Sequence, residues 1–180
     1  MASLGHPHRV GQVPELQPLC TGHASAVLAF ELVNRGYFAA SISDRGDDFF
    51  DKFTERHNAM LAEQDAGTGA YYVLVDEEGS VLGRFNLYFT GAGAANLGYR
   101  VAQDVSGHGV ATAAVRELCR LAMDRHGLST LRAATSSTNI ASQKVLTKSG
   151  FTPVGPADPA DLGGKPGTWY QRDLTPEDAD

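Results

Sequence analysis

The sequence contains little cysteine and no long hydrophobic run, and both absences narrow the class of protein. Its only cysteines, Cys20 and Cys119, are far apart and lack the spacing typical of zinc ligands. We therefore predict no bound metal, no disulfide framework and a reducing, cytoplasmic setting. No apolar run approaches the roughly 20 residues that a membrane helix needs, and residues 1–16 lack the apolar core of a secretory signal. We accordingly expect no membrane association.

The sequence also contains fewer basic than acidic residues. Lys and Arg number 15 against 21 Asp and Glu, which gives a formal net charge of −6. Such a surface does not favour a polyanion, so no nucleic-acid partner is predicted, whereas a cationic acceptor is compatible with it. The chain has 180 residues, 42% of them hydrophobic, which is enough for the core of one domain. We place that domain at 13–174, with tails at 1–12 and 175–180.

The hydrophobic pattern mixes strands with helices in one domain. Some neighbouring strands are joined by tight turns, so the pattern predicts an α+β fold with a mixed, mostly antiparallel sheet flanked by helices. Gly36 is read as the stop of the first helix, and 91–94 as a flexible connection. The predicted strands are 13–19 (at best an edge strand), 71–75, 81–89, 96–102, 131–135, 151–154 and 168–174; the predicted helices are 24–35, 47–64, 111–125 and 139–149.

The strongest local signal is the glycine-rich segment 106–109 (Ser-Gly-His-Gly) between a predicted strand and a predicted helix. Helix-start N–H groups without nearby Cβ atoms can hold a pyrophosphate. The same segment also fits a turn that only requires positive φ, and the local sequence favours neither reading. A P-loop is excluded because Val110-Ala111 follows Gly109 instead of Lys-Ser/Thr. Thr112 stands where a dinucleotide fingerprint needs its third glycine, which disfavours NAD.

Three segments, in order along the chain, resemble the GNAT N-acetyltransferases, and within them the ribosomal-protein alanine acetyltransferase (RimJ/RimL-like) branch. Residues 98–115, GYRVAQDVSGHGVATAAV, resemble that branch's GYx(L/V)xxxxxGxGxATxAV pattern. Residues 139–151 match its NxxSxx(V/L)LxKxGF pattern, and residues 30–38 resemble FExxNRx(Y/F)F. The resemblance covers roughly residues 13–174.

Within the first segment, the acetyl-CoA signature (Q/R)xxGx(G/A) is matched at its last two fixed positions by Gly109 and Ala111. Ser106 stands where Gln or Arg is usual, and His108 stands where the branch usually has Arg or Lys. These departures bear on how tightly the turn would hold a pyrophosphate.

The resemblance implies a specific site for acetyl-CoA as co-substrate. In this family two adjacent parallel strands splay apart and the cofactor sits in the gap, so the strands near 96–102 and 131–135 should separate. The pantetheine arm would then bind the open strand, and the glycine turn would hold the pyrophosphate. The implied contacts are Arg100, Val101, Ala102, Gly107, His108, Gly109, Val110, Ala111, Thr112, Asn139 and Ser142.

Asn139 and Ser142 have two readings. By their i, i+3 spacing alone they form a helix N-cap pair. By the resemblance, Asn139 bonds the cofactor arm and Ser142 is the catalytic acid that protonates the departing thiolate. Many GNAT enzymes use a tyrosine seven residues after the asparagine, where this chain has Leu146.

The general base is not identified by the sequence. Relatives often carry Glu shortly before the Gly-Tyr pair (here Gly98-Tyr99), at the position where this chain has Asn96. Glu31 is a candidate because its helix usually borders the acceptor pocket, although a lone helical Glu is more often solvated. Asp158 and Asp161 are weaker candidates. A water chain to solvent would suffice for an amine whose pKa is near 8.

We therefore predict an acetyl-CoA-dependent N-acetyltransferase. A primary amine, either a protein N-terminus or a small molecule, would attack the thioester directly in a ternary complex. The alternative is a non-catalytic acyl-CoA-binding sensor or scaffold. A homodimer is possible, and the loop at 155–167 and the segment after the first helix are expected to shape the choice of acceptor.

Overall fold

The computed structural model describes residues 13–179, so the predicted tail at 1–12 lies outside the described residues. Seven strands form one sheet with helices on both faces, as expected for an α+β fold. The strands are β1 (Glu15–Pro18), β2 (Gly69–Val75), β3 (Val81–Gly91), β4 (Ala94–Val101), β5 (Thr130–Ser136), β6 (Thr152–Ala157) and β7 (Gly167–Asp173); the helices are α1 (Ala24–Val33), α2 (Arg35–Ser41), α3 (Asp47–Asp51), α4 (Phe53–Asp65), α5 (Val110–His126) and α6 (Ile140–Lys148). Pro176–Ala179, within the predicted C-terminal tail, forms a 3-10 turn beside α5.

The sheet is antiparallel except at its centre. Its strand order is β1-β2-β3-β4-β5-β7-β6, and β4 pairs with β5 in parallel. That parallel ladder ends at the pair Asn96–Arg132, although the strands continue to Val101 and Ser136. The predicted splay between these two strands is therefore confirmed, and it lies in the middle of the sheet.

Helices cover both faces because each face carries its own apolar cluster. On one face, Leu118 of α5 and Leu146 of α6 pack with strand residues such as Phe85. On the other, Val27 and Phe30 of α1 join a cluster that also includes residues from α2, α3 and α4. β2 is buried along its whole length since it lies between these two layers.

The helical boundaries differ from the sequence prediction at two points. Gly36 does not stop a helix: the break falls at Asn34, and Gly36 lies inside α2, a helix that the sequence analysis missed. The predicted helix 47–64 is two helices, α3 and α4, which meet at Lys52. Phe49 and Phe53, on either side of this break, are both buried in the core of this face.

The predicted connection at 91–94 is a tight hairpin turn and is not a flexible linker. Gly91, Ala92 and Gly93 all have positive φ, and β3 and β4 pair directly across them. Of the two cysteines, Cys119 is buried and Cys20 is exposed. None of the helices within residues 13–179 has both the length and the apolarity to cross a membrane.

Candidate active site

The site begins where β4 loses its neighbour. Ala102 donates its backbone N–H to Leu82 of the β3 side at 2.8 Å, whereas the carbonyl of Gly93 accepts from Thr130 of β5 at 3.2 Å. The backbone groups of successive residues in a strand point to opposite sides. Even-numbered residues of this strand, such as Ala102, therefore direct their N–H and C=O groups toward β3. Odd-numbered residues, such as Gly93, direct theirs toward β5. Tyr99 and Val101 therefore present N–H and C=O groups to the gap, where the β4–β5 ladder has ended.

Unpaired backbone groups in a partly buried strand are costly unless a partner supplies hydrogen bonds. A ligand carrying amides fits this need, because it can lie along β4 as an additional strand. Arg100 and Ala102 are placed differently from the expectation: by the same alternation their backbone groups face β3. Among the three predicted strand contacts, the backbone of Val101 is the one directed into the gap.

The glycine turn provides an open concavity at one end of the gap. Gly107 and Gly109 have φ values of 80° and 76°, so the predicted need for positive φ is confirmed. An ideal Cβ at either glycine would meet no atom within 4 Å among the described residues. The α5 ladder starts with Ala113 donating to Gly109 at 3.0 Å. The N–H groups just before Ala113 therefore have no acceptor within the helix, and they form a ready anion-binding end.

Two cavities adjoin at the gap. After the ligands that are proposed for them below, we call them the cofactor cleft, of about 420 Å³, and the acceptor cavity, of about 360 Å³. The cofactor cleft runs from the glycine turn to α6, and the acceptor cavity reaches through the sheet to β3 and β5. The residues that line both are Ser41, Ile42, Tyr99, Arg100, Asn139 and Ser142.

Most of the sequence-predicted contacts line the cofactor cleft. They are Arg100, Val101, Gly107, Gly109, Ala111, Thr112, Asn139 and Ser142. Three others lie elsewhere: Ala102 is buried against the α1–α4 layer, and His108 and Val110 line a separate groove beside β1. His108 is exposed, and it does not line the cofactor cleft although its backbone belongs to the turn.

Asn139 and Ser142 form the helix cap that their spacing suggests. Asn139 is the N-cap of α6, and its Oδ1 accepts the N–H of Ser142 at 3.2 Å. The cap fixes the first turn of α6, so the Ser142 hydroxyl is held at the wall shared by the two cavities. Capping and cofactor binding are compatible here, because the cap uses only the amide oxygen of Asn139.

Tyr99 is a site residue that the sequence analysis did not single out. Its hydroxyl lies 2.9 Å from the Ser142 Oγ, and its ring stacks on Phe85 at 5.7 Å between centroids. Burial raises the pKa of Tyr99 to about 12, so the phenol stays protonated at neutral pH. The sequence signal that could have identified Tyr99 is its place in the Gly-Tyr pair of the family-like segment. Leu146, which stands at the usual tyrosine position, is buried in the core.

The unpredicted helix α2 explains the residue at position 106. Tyr37 of α2 forms a 2.9 Å hydrogen bond between its hydroxyl and the Ser106 Oγ. Both residues line the cofactor cleft. Ser106 therefore ties the glycine turn to α2.

Glu31 is not the solvated residue that the sequence suggested. Its side chain is 1% exposed, and its carboxylate contacts Arg84 at 2.9 Å, Arg45 at 3.0 Å and Arg100 at 3.7 Å. Burial alone would raise its pKa, but the ion pairs with Arg45 and Arg84 outweigh it and hold the pKa below its ordinary value. A carboxylate neutralised in this way is a poor general base.

The structure also shows where the other residues considered in the search for a general base lie. Asp158 caps a 3-10 turn by accepting the N–H of Ala160 at 2.9 Å, and it lines neither cavity. Asp161 does line the acceptor cavity, and Asn96, on β4, lines neither. Within residues 13–179, no three His, Cys, Asp or Glu side chains gather as metal ligands would.

The comparisons with known proteins agree with this geometry. A family model described as an acetyltransferase (GNAT) domain matches residues 15–152. None of the proteins of curated function has a sequence that matches this chain.

Solved structures share the fold at low sequence identity. A ribosomal-protein-S5-alanine acetyltransferase from Vibrio fischeri is 19% identical, with a TM-score of 0.83 over 92% of this chain and 96% of that one. RimJ from Mycobacterium smegmatis, solved with CoA-disulfide, is 21% identical, with a TM-score of 0.77 over 88% and 80%. A spermidine N-acetyltransferase from Vibrio cholerae, solved with CoA and spermine, is 14% identical, with a TM-score of 0.74 over 90% and 96%.

The buried ion cluster generates a stability prediction. Replacing Glu31 with Gln leaves Arg84 without its buried counter-charge, which should lower the free energy of unfolding by about 3 kcal/mol. Because the folded-state pKa of Glu31 is depressed, its contribution is present above the ordinary pKa of 4.5 and is lost as pH falls through the folded value. Urea denaturation should therefore show a gap between wild type and Glu31→Gln at pH 7 that narrows below pH 4.5.

The matched control is Glu117→Gln, which removes an exposed carboxylate paired with Arg120. That variant should have almost unchanged stability, since exposed ion pairs contribute little. Equal stability of wild type and Glu31→Gln at pH 7 would show that the cluster does not anchor α1 to the sheet.

Proposed function

The chain belongs to the acetyltransferase (GNAT) domain family, and from this premise we propose that it transfers the acetyl group of acetyl-CoA to a primary amine. The observation that carries the proposal is the open edge of β4, which lies between the glycine turn and Ser142. A site of this shape can hold an extended, amide-containing ligand with a pyrophosphate at one end. In the proposed reaction the amine attacks the thioester directly, within a ternary complex.

The proposed cofactor contacts follow the two ends of the cleft. The pyrophosphate would be held by backbone N–H groups of 107–112, where an open concavity meets the start of a 17-residue helix. The pantetheine arm would pair with the gap-facing groups of Tyr99 and Val101, and Asn139 would border its end. The CoA and CoA-disulfide bound by similarly folded proteins support this assignment.

Ser142 is the proposed acid for the departing thiolate, and Tyr99 is its positioning partner. If the protonated phenol donates to the Ser142 Oγ at 2.9 Å, the serine hydroxyl keeps its own proton for the sulfur in the cleft. The N–H of Val101 faces the same gap and would stabilise the oxygen of the tetrahedral intermediate. The serine proton passes to the CoA thiolate as the C–S bond breaks, and the serine oxygen recovers a proton from solvent.

Proton removal from the amine is assigned to water, with Asp161 of the acceptor cavity as the alternative base. Glu31 is buried in ion pairs, so it offers no free carboxylate to the acceptor. An α-amine with a pKa near 8 is partly neutral at physiological pH and can lose its proton through solvent. No metal is invoked in this scheme.

The proposal specifies the acceptor only as a primary amine. Proteins of this fold include an enzyme named for a ribosomal-protein alanine and one solved with spermine, so the fold does not fix the acceptor. The alternative function, an acyl-CoA sensor without turnover, draws support from the lack of a carboxylate at Asn96. A homodimer and a cytoplasmic setting stay predictions.

Calorimetry on a glycine-turn variant tests the cofactor site. A tryptophan in place of Gly109 would occupy the open concavity, so Gly109→Trp should abolish acetyl-CoA binding while wild type binds acetyl-CoA and CoA but not NADH. Gly67→Trp is the matched control, because Gly67 also has positive φ (77°) and open space but lines neither cavity. Unchanged affinity in Gly109→Trp would mean that the turn is purely structural.

Steady-state kinetics on two hydroxyl variants test the proposed acid. Ser142→Ala and Tyr99→Phe should each lower kcat for amine acetylation by about 10- to 100-fold, with little change in KM for acetyl-CoA. The double variant should lose little more than Ser142→Ala alone, since the two hydroxyls act as one unit. Thr147→Ala, an exposed change on the same helix, is the control.

The outcomes separate the mechanism from the function. Normal kcat in Ser142→Ala would remove the serine from the mechanism while leaving the transferase intact. Tight acetyl-CoA binding with no acetylated amine and no CoA release would favour the sensor.

A further inference from the structure

We propose that the acceptor amine carries a carboxylate or a phosphate a few bonds from its nitrogen, and that arginines of the acceptor cavity bind this anion. The inference rests on the proposed function and names the substrate class of that same site. It comes from the charge on the cavity wall and not from the fold, since proteins of this fold take chemically different acceptors.

The acceptor cavity is cationic in a chain that is acidic overall. Its wall includes four cationic side chains, those of Arg45, Arg84, Arg100 and Lys165, against the single acidic side chain of Asp161. The formal net charge of the whole chain is −6, so this concentration of positive charge is local. A polyamine entering such a cavity would meet like charge, whereas an anion would be attracted.

The three arginines are incompletely neutralised. Arg84 and Arg100 face each other directly across β3 and β4, an arrangement of like charges that destabilises a sheet unless an anion lies near. Glu31 is that anion, but its single charge serves both of these guanidiniums and Arg45 as well. One carboxylate against three guanidiniums leaves a surplus of positive charge beside the cavity.

Burial and this surplus of positive charge both act on the pKa of Arg100. Burial, with added repulsion from Arg45 and Arg84, lowers the pKa of Arg100 to about 10 despite the attraction of Glu31 and Asp44. Asp44 does not compensate fully, because it is bound to Arg35 by two hydrogen bonds of 3.0 and 2.9 Å. An anionic group arriving in the cavity would relieve this repulsion.

The guanidiniums are held in place before any ligand arrives. Arg45 lies 4.6 Å from the Phe49 ring centroid and Arg100 lies 5.1 Å from that of Phe38. Stacking on an aromatic ring fixes the plane of a guanidinium, and a fixed fork matches the two oxygens of a carboxylate or phosphate. Such preorganisation lowers the entropic cost of binding the anion.

Lys165, the fourth cation of the cavity wall, links two segments that line the cavity. The Nζ of Lys165 donates to the carbonyl of Ser41 at 3.1 Å, which links the loop before β7 to the end of α2. Both Ser41 and Lys165 line the acceptor cavity. We expect the anion to bind near Lys165 and the three arginines, with the amine directed toward Ser142.

Matched acceptor pairs test the proposal. The assay compares acetylation rates within three pairs, each an anionic amine and its neutral partner: 4-aminobutanoate and 4-aminobutanamide, L-phenylalanine and L-phenylalaninamide, and aminoethyl phosphate and ethanolamine. Spermidine is the cationic reference. At least one anionic acceptor should exceed its neutral partner by about tenfold in kcat/KM. A preference in the first two pairs would indicate that the cavity binds a carboxylate, and a preference in the third pair would indicate a phosphate. Preference for neutral members or for spermidine would overturn the proposal while leaving the transferase intact.

Variants locate the effect. Arg45→Gln should lower kcat/KM for the preferred anionic acceptor about tenfold, with unchanged KM for acetyl-CoA and a much smaller effect on the neutral partner. Arg56→Gln is the matched control, because Arg56 also lies over the Phe49 ring, at 5.7 Å, but does not line the cavity. Equal losses for charged and neutral acceptors in Arg45→Gln would indicate a purely structural arginine.

A binding measurement keeps the proposal independent of turnover. Inorganic phosphate is titrated calorimetrically into CoA-saturated protein, so that the cofactor cleft is already filled. Wild type and Arg56→Gln should bind phosphate about tenfold more tightly than Arg45→Gln. Equal affinities would refute the anion site, whereas failure to bind CoA at all would refute the proposed function instead.

Discussion

The early end of the parallel ladder between β4 and β5 is the constraint on which the rest of the site depends. Pairing stops at Asn96 and Arg132 while both strands continue, so the middle of a seven-stranded sheet contains an open edge. Central strands normally satisfy their backbone on both sides. Here the gap-facing groups of Tyr99 and Val101 have no partner on β5, and the two cavities meet at the same place.

The buried Glu31 cluster sets the character of the other side of the gap. It joins α1 to two central strands through ion pairs with Arg84 and Arg100, and it reaches the loop after α2 through Arg45. Buried ion pairs rarely add much net stability, since desolvation offsets the attraction. Their consequence here is electrostatic: a single carboxylate fixes several guanidiniums at the wall of the acceptor cavity. The same contacts remove Glu31 from consideration as a base.

Local chemistry in the sequence predicted the parts of the site that depend on neighbouring residues. Gly107 and Gly109 adopt the left-handed backbone that a strand-to-helix turn requires, and Asn139 caps α6 as its spacing to Ser142 suggested. The divergence of the central strands followed from the resemblance of three segments to one family. Composition and periodicity alone would have given only an α+β sheet.

The remaining features depend on contacts between residues far apart in the chain. Glu31 meets Arg84 across 53 positions and Tyr99 meets Ser142 across 43, so periodicity could not pair them. The helix α2 was missed because Gly36 resembles a stop signal, yet Tyr37 in that helix reaches Ser106 across 69 positions. Such pairings are decided by the tertiary fold, which overrides local propensity.

Hydrogen exchange of the β4 amides, resolved by NMR with and without saturating CoA, tests the central claim most directly. The amides of Tyr99 and Val101 should exchange rapidly in the free protein and become protected when CoA binds. Those of Arg100 and Ala102, which face β3, should be protected in both states and serve as internal controls. Unchanged exchange at Tyr99 and Val101 under saturating CoA would show that the open edge of β4 is not the cofactor site.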